Sequence, residues 1–146
     1  RQTTFDGRGA WVVGRAVYEV LAPEVVAVGG MTMGADPIAI ATAMVAAENG
    51  HGLKAFSIRK TAKDHGIGGR LVGPVGPDAR VAILEDTTTT GGAAVEAARH
   101  ALEEGLVIVQ AIALVDRSEG LAARNFAELG IPHVALTTPS DLGVDT

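Results

Sequence analysis

Residues 81–92 have the sequence VAILEDTTTTGG, in which an apolar run ends in two carboxylates, four threonines and two glycines. The apolar, β-branched run predicts a buried strand, and the glycines predict a tight turn that leads into a helix. Such a turn presents backbone N–H groups, threonine hydroxyls and the positive end of a helix dipole to a phosphate. The adjacent acids, Glu85 and Asp86, can accept hydrogen bonds from sugar hydroxyls or face a divalent metal. The segment therefore indicates a site for a phosphorylated ribose.

A turn rich in threonine and glycine can also be an ordinary connection between a strand and a helix. The sequence contains neither the Walker pattern G-x-x-x-x-G-K-[ST] nor a G-x-G-x-x-G pattern after a strand, so these two nucleotide motifs are excluded. The paired acids favour a binding site, because open α/β sheets bind ligands at the carboxyl ends of their strands.

Length and composition limit the class of protein. The chain has 146 residues, of which 47% are hydrophobic and 3% aromatic, so we expect one domain over residues 1–146 with a sizeable core. The lack of cysteine excludes disulfides, thiolate chemistry and zinc held by cysteine. The net charge of −5 disfavours nucleic-acid binding. Because no apolar run has transmembrane length and no signal peptide is visible, we expect a cytoplasmic protein without a membrane partner.

Positive charge is concentrated between Lys54 and Arg70. This interval holds five of the twelve lysines and arginines and one acid, Asp64. The segment from Lys63 to Gly69 is rich in glycine and has no apolar periodicity, which predicts a mobile loop. A short charge run is usually a solvated surface, but a loop carrying Lys, His and Arg can also close over a polyanion and exclude water. We favour the second interpretation.

Predicted helices and strands alternate along the chain. The helices cover Gly9 to Leu21, Asp36 to Glu48, Ala93 to Glu104 and Gly120 to Leu129. The strands outside the central motif cover Val25 to Gly29, Leu53 to Ile58, Leu106 to Val115 and His133 to Leu136. Strands separated by helices of this length predict an α/β fold with a mostly parallel central sheet flanked by helices.

Local patterns add several expectations. The glycine-rich loop from Gly29 to Pro37 is a second candidate anion site, with a simple tight turn as an equal alternative. Asp36 and Pro37 are predicted to be the N-cap and N1 residues of the helix that follows. The helix after the central motif is predicted to present one apolar face: Val95, Ala98 and Leu102. The first residues look like the end of a strand. Histidines without ligand spacing are interpreted as structural or surface residues: His51, His100 and His133.

At two segments the sequence resembles the type I phosphoribosyltransferases, and within them the orotate phosphoribosyltransferases. Residues 81–93 resemble the phosphoribosyl-pyrophosphate signature of the class. The segment from Phe56 to Gly69, with Arg59-Lys60-x-x-Lys63-Asp64-His65-Gly66, is similar to the catalytic loop of the orotate enzymes.

The resemblance implies the type I phosphoribosyltransferase fold. It also implies transfer of ribose 5-phosphate from phosphoribosyl pyrophosphate to orotate, giving orotidine 5′-monophosphate and pyrophosphate in de novo pyrimidine synthesis. The reaction needs Mg²⁺, which we expect to arrive with the substrate pyrophosphate and without a direct protein ligand. A cytoplasmic homodimer with shared active sites is implied in the same way.

The resemblance also assigns roles to individual residues. The threonine–glycine turn would hold the 5′-phosphate, the paired acids would meet the ribose hydroxyls, and the basic residues would face the pyrophosphate. The residues implied to bind phosphoribosyl pyrophosphate are Arg59, Lys60, Lys63, His65, Glu85, Asp86, Thr87, Thr88, Thr89, Thr90, Gly91, Gly92 and Ala93. Catalytic roles are implied for Lys63, His65 and Arg59, and contact with orotate for Thr89 and Arg117.

Two departures from the family pattern stand out. Thr32-Met33-Gly34 occupies a loop in which orotate enzymes often have a lysine, so one cation fewer would face the pyrophosphate. The chain begins at Arg1, and we expect the family's N-terminal hood segment, which lines the orotate pocket, to be missing from it. Two alternatives remain open from the sequence: a purine-type phosphoribosyltransferase, and a regulatory protein that kept the fold as a nucleotide sensor.

Overall fold

The structure is a computed structural model that describes residues 1–63 and 69–144. The helices in these residues are α1 (Gln2–Phe5), α2 (Gly7–Val20), α3 (Asp36–Glu48), α4 (Gly92–Glu103) and α5 (Leu121–Glu128). The strands are β1 (Ala27–Met31), β2 (Lys54–Ile58), β3 (Leu71–Val72), β4 (Arg80–Thr88), β5 (Val107–Asp116) and β6 (His133–Thr137). No helix within these two ranges has both the length and the apolar character needed to cross a membrane.

The strands form one sheet in the order β3-β2-β1-β4-β5-β6. Every neighbouring pair is parallel except β2 and β3, which are antiparallel. This arrangement confirms the predicted mostly parallel α/β fold. From β1 the chain continues to β2 on one side of the sheet and later to β4 on the other, so the strand order reverses between β1 and β4. Open parallel sheets bind ligands outside the carboxyl ends of the strands at such a switch point.

The apolar residues of β4 pack on both faces of the sheet. Val81 and Ile83 belong to a core cluster with α4 and α5, whereas Ala82 and Leu84 belong to a cluster with α2 and α3. All four are at most 2% exposed. Successive side chains of a strand point to opposite faces, and a central parallel strand covered on both faces is therefore apolar at every position. This packing fixes the end of β4, where the two acids lie.

Helix α4 buries a face made of alanines. Ala94, Ala97, Ala98 and Ala101 are buried, whereas Leu102 is exposed. The prediction that Leu102 lies on the apolar face was therefore wrong. Small side chains allow close approach of a helix to the sheet in a densely packed interior, and the helix here turns its larger leucine to solvent.

Several predicted boundaries also differ from the structure. The first residues form the short helix α1 rather than the end of a strand, and Asp6 caps the next helix by accepting a hydrogen bond from Gly9 N at 3.0 Å. The N-cap of α3 is Ala35, so the prediction for Asp36 was wrong by one position. Strand β3 was not predicted, because two residues are too few to show a periodic pattern.

Candidate active site

A cleft of about 120 Å³ lies at the switch point between β1 and β4. Its walls come from the loop after β1, the end of β4, the first turn of α4, the residue Lys60 beyond β2, and Arg1. The lining residues are Arg1, Met31, Thr32, Gly34, Ala35, Lys60, Leu84, Glu85, Asp86, Ala93 and Ala94. The fold therefore brings three features to one place: the paired acids, Lys60 of the segment that resembles the catalytic loop, and the start of α4.

The glycine-rich loop after β1 packs directly against the second acid. A Cβ at position 34 would lie 2.9 Å from Asp86 Oδ1, so a side chain there would displace the Asp86 carboxylate. The loop is held by two hydrogen bonds: Thr32 N donates to Ile58 O at 2.9 Å, and Thr32 Oγ1 donates to Asp36 Oδ2 at 2.6 Å. The peptide bond between Thr32 and Met33 is cis. The loop is thus part of the cleft and more than a simple turn.

The two adjacent acids have different surroundings. Burial raises the pKa of the Glu85 carboxyl to about 7; the nearby Thr88 hydroxyl lowers this pKa in part, and the charges of Asp86 and Asp116 raise it. Asp86 is tied to the backbone, since its Oδ1 accepts a hydrogen bond from Thr87 N at 2.8 Å, and its Oδ2 lies 3.7 Å from Arg1 Nε. At neutral pH, Glu85 can therefore act as hydrogen-bond donor or acceptor.

The threonine–glycine turn is shorter than predicted. Strand β4 continues through Thr87 and Thr88, and Thr88 is fully buried. Within the described residues, Thr88 Oγ1 has no hydrogen-bond partner. The Thr88 carbonyl accepts a hydrogen bond from Arg117 N at 2.8 Å. The exposed polar groups of the turn proper therefore begin at Thr89.

The rest of the turn is fixed by its neighbours. Gly91 is the N-cap residue of α4 and has φ +83°, a left-handed conformation that favours glycine. Asn125 Nδ2 of α5 donates to Thr90 O at 2.8 Å, and Gly92 N donates to Thr90 Oγ1 at 3.1 Å. The first N–H groups of a helix have no partner within the helix, and Ala93 and Ala94 line the cleft at this point. Hydrogen-bond donors for an anion are thus present beside the acids.

The predicted basic residues are only partly brought together. Lys60 lines the cleft, Arg59 is half-buried at the end of β2, and Lys63 is exposed and does not line the cleft. Arg59 N donates to Arg70 O at 2.8 Å, which joins the two ends of the basic segment. His65 lies outside the described residues.

The predicted orotate residues lie beside this cleft and not in its wall. Arg117 is exposed and lines a second cleft of about 300 Å³ at the carboxyl ends of β5 and β6, together with Asp116 and Thr138. Thr89 is exposed in the turn between β4 and α4. The two clefts are adjacent in the sheet, because Thr88 pairs with Asp116 across β4 and β5.

The donor set of the cleft fits a divalent cation that arrives with its ligand. Within residues 1–63 and 69–144, no three His, Cys, Asp or Glu side chains are grouped so as to hold a metal ion. Glu85 and Asp86 nevertheless offer carboxylate oxygens beside the anion donors. Mg²⁺ is usually held by one or two carboxylates together with substrate phosphates and water. Two carboxylates beside anion donors therefore fit a magnesium ion that is held together with a diphosphate.

Some features of the site carried little signal in the sequence. The contact between Gly34 and Asp86 depends on the pairing of β1 with β4, which joins segments about fifty residues apart. The glycine-rich loop could be recognised in the sequence as a candidate anion site, but its contact with Asp86 could not be predicted. A contact between Arg70 and His100 had no sequence pattern at all.

A mostly parallel sheet with its switch point between β1 and β4, an acid pair near the end of β4, and a threonine–glycine turn leading into α4 together define a type I phosphoribosyltransferase. Comparison with known proteins identifies the branch of this class. No protein-family model matches the chain. The orotate phosphoribosyltransferase of Aquifex aeolicus is 41% identical over 145 residues, which are 97% of this chain and 78% of that protein. The chain belongs to the orotate phosphoribosyltransferase family.

Solved structures agree with this assignment. An orotate phosphoribosyltransferase of Mycobacterium tuberculosis superposes with a TM-score of 0.88 at 34% identity, over 99% of this chain and 81% of that one. A structure of the same enzyme in complex with 5-phospho-α-D-ribosyl 1-diphosphate has a TM-score of 0.83 at 31% identity, over 99% and 82%. The resemblance seen in the sequence is thereby confirmed over nearly the whole chain.

Proposed function

We propose that this chain transfers ribose 5-phosphate from phosphoribosyl pyrophosphate to orotate, giving orotidine 5′-monophosphate and pyrophosphate. The observation that carries the proposal is the switch-point cleft, in which Glu85 and Asp86, Lys60 and the first turn of α4 meet. Membership of the orotate phosphoribosyltransferase family supports the substrate pair. The step belongs to de novo pyrimidine synthesis, and a cytoplasmic location stays a prediction from the sequence.

The two ends of the sugar diphosphate would be bound by different elements. The 5′-phosphate accepts hydrogen bonds at the turn between β4 and α4, where Thr89, Thr90 and Gly92 are exposed. Asp86 accepts hydrogen bonds from ribose hydroxyls, and Glu85 either accepts or donates one, because burial holds its pKa at about 7. Thr87, Gly91 and Ala93 complete this half of the proposed site.

The pyrophosphate end would face the basic residues. When the bond between ribose C1 and the pyrophosphate oxygen breaks, the electron pair leaves with pyrophosphate and positive charge develops on the sugar ring. Arg59, Lys60 and Lys63 stabilise the leaving anion, and His65 donates a hydrogen bond to it. Mg²⁺, bound with the diphosphate, supplies further neutralisation of its charge. No covalent nucleophile is needed, so positioning and electrostatics account for catalysis.

Orotate would approach from the neighbouring cleft. Arg117 at the end of β5 is exposed there, and its guanidinium can pair with the orotate carboxylate through two parallel hydrogen bonds. Thr89, exposed in the turn between β4 and α4, can contact the pyrimidine ring. A ring nitrogen of orotate then forms a bond to ribose C1 on the side opposite the leaving group, and its proton passes to the departing pyrophosphate.

We also propose that two copies of the chain form a homodimer with shared active sites. Exposed apolar side chains on α2 and α3 offer a surface that a second copy would cover: Trp11, Val12, Ile40 and Met44. Sedimentation equilibrium across a concentration series tests this assembly, and a strictly monomeric species at micromolar concentration would contradict it.

The test of the reaction is a pyrophosphate-release assay with phosphoribosyl pyrophosphate and Mg²⁺, run separately with orotate, adenine, guanine and hypoxanthine. Of the four bases, we expect only orotate to cause release of pyrophosphate. Release with a purine base and none with orotate would instead identify a purine-type enzyme.

A further inference from the structure

We propose that Arg70 is a positioning residue that anchors the catalytic segment at Lys60 to helix α4. This inference rests on the proposed function, because it concerns how Lys60 is held in the cleft. Arg70 lies in the cluster of positive charge found in the sequence, but the function just described assigns it no role.

The contacts of Arg70 join the segment to α4. Its Nη1 donates to the Lys60 carbonyl at 2.9 Å and to His100 Nε2 at 2.8 Å. Its own carbonyl accepts from Arg59 N at 2.8 Å. The Arg70 side chain is 29% exposed, so these bonds lie in a partly desolvated environment. Arg70 therefore contacts the backbone of Arg59 and Lys60, the two residues at the start of the basic segment.

His100 is itself oriented by Glu103 of α4. Its Nδ1 lies 3.2 Å from Glu103 Oε2, and its Nε2 lies 3.6 Å from Glu96 Oε1. If Nδ1 carries the proton and donates to Glu103, then Nε2 is free to accept from Arg70, which is the tautomer that this geometry requires. Glu96 Oε1 lies 3.8 Å from Arg70 Nη1 and adds a favourable charge.

A second contact joins Gly69, near the other end of the basic segment, to helix α4. A Cβ at residue 69 would clash with Oε1 of Glu104, the C-cap residue of α4. Gly69 is therefore packed against the carboxyl end of α4. Because the first turn of α4 lines the cleft, one helix both forms a wall of the cleft and contacts Arg70 and Gly69.

This arrangement predicts that loss of Arg70 lowers turnover through Lys60. Misplacement of a reacting or charge-stabilising group by about 1 Å can cost orders of magnitude in rate. We expect Arg70→Met to lower kcat about 10-fold and Arg70→Lys to restore part of it, since an ammonium can still reach one acceptor. Arg99→Met, which removes an exposed arginine of α4, is the matched control and should retain wild-type kcat.

The decisive comparison is a double-mutant cycle with Lys60. If Arg70 acts through Lys60, then Lys60→Ala/Arg70→Met has the same kcat as Lys60→Ala alone. If the kcat loss of the double variant equals the product of the two single losses, the proposal is overturned. Wild-type kcat in Arg70→Met would overturn it as well. If thermal denaturation shows that Arg70→Met does not fold, His100→Leu, which removes the acceptor of the anchor, takes its place in the same cycle.

An assay without substrates separates this inference from the proposed function. Arg70 donates to the carbonyl of the Lys60–Thr61 bond, and trypsin needs that carbonyl free. We therefore expect tryptic cleavage after Lys60, followed by mass spectrometry, to be about 3-fold or more faster in Arg70→Met than in Arg99→Met. Equal cleavage rates would refute the anchor. If orotate-dependent activity is missing from the wild type but cleavage responds, the proposed function fails and the anchor stands.

Discussion

Two neighbouring carboxylates at the end of β4 have unlike chemistry. Glu85 is largely buried and has a pKa of about 7, whereas Asp86 is bonded to the backbone and faces the glycine-rich loop. Their presence near the end of a strand followed from the sequence, although β4 continues two residues further, to Thr88. Their difference did not, because burial depends on how α4, β5 and the loop after β1 cover each side chain.

Replacement of Glu85 by glutamine is expected to stabilise the protein at alkaline pH. The pKa of Glu85 is raised from 4.5 to about 7, so between these values the native state binds more protons than the unfolded chain and the contribution of Glu85 to stability falls as pH rises. With allowance for solvent screening, Glu85→Gln should raise the free energy of unfolding by about 1–2 kcal/mol at pH 8 and by almost nothing at pH 4.

Urea denaturation across this pH range measures the effect. The exposed Glu128 of α5, changed to glutamine, controls for the loss of one charge. A stability difference between Glu85→Gln and wild type that is equal at pH 5 and pH 8 would show that burial does not disfavour the charged form.

Gly34 offers a test in which binding and folding separate. An added Cβ would lie 2.9 Å from Asp86 Oδ1 and 3.1 Å from Asp86 Cγ, so the carboxylate must move. A side-chain end can shift at small cost, and we expect Gly34→Ala to lower the free energy of unfolding by less than about 1 kcal/mol. Affinity for phosphoribosyl pyrophosphate should fall about 10-fold, in proportion to one displaced charge-assisted hydrogen bond.

Calorimetry and denaturation of Gly34→Ala are to be compared with Gly52→Ala, where an added Cβ meets nothing within 4 Å. Unchanged affinity in Gly34→Ala would mean that Asp86 does not contact the ligand.

At the scale of elements, helix α4 does more than its sequence indicated. Its start at the two glycines was predictable from local residue types. Its buried face was not, because the alanines that pack on the sheet have the same propensity on any face of a helix, and only the neighbouring strands select among them. The same limit applies to β3, which exists only through its pairing with β2.

Enlargement of the alanine face should destabilise the fold. Ala97 is fully buried against the sheet, so the extra atoms of leucine have no space. We expect Ala97→Leu to lower the free energy of unfolding by about 1–3 kcal/mol, as overpacked cores do. Ala123→Leu on the exposed side of α5 is the matched control, and equal stability of the two variants would contradict the packing described for α4.

At the scale of the whole molecule, alternation of strands and helices was enough to predict a parallel α/β sheet. The order of the strands was not predictable in this way, because several orders satisfy the same alternation. The switch point between β1 and β4 follows from that order. It explains why the glycine-rich loop after β1 and the threonine–glycine turn before α4, which are far apart in sequence, meet at one cleft. The resemblance of two short motifs to a known family supplied the predicted reaction and residue roles, which periodicity alone could not.

The central claim is that this cleft binds phosphoribosyl pyrophosphate with Mg²⁺, and calorimetric titration tests it most directly. We expect saturable heat with wild-type protein and an affinity at least about 10-fold weaker in Asp86→Asn, since a neutral amide replaces a charged acceptor. Asp78→Asn, in the exposed turn at the opposite end of β4, should bind like the wild type. Absence of heat with folded wild-type protein, or equal affinity in Asp86→Asn, would contradict the account.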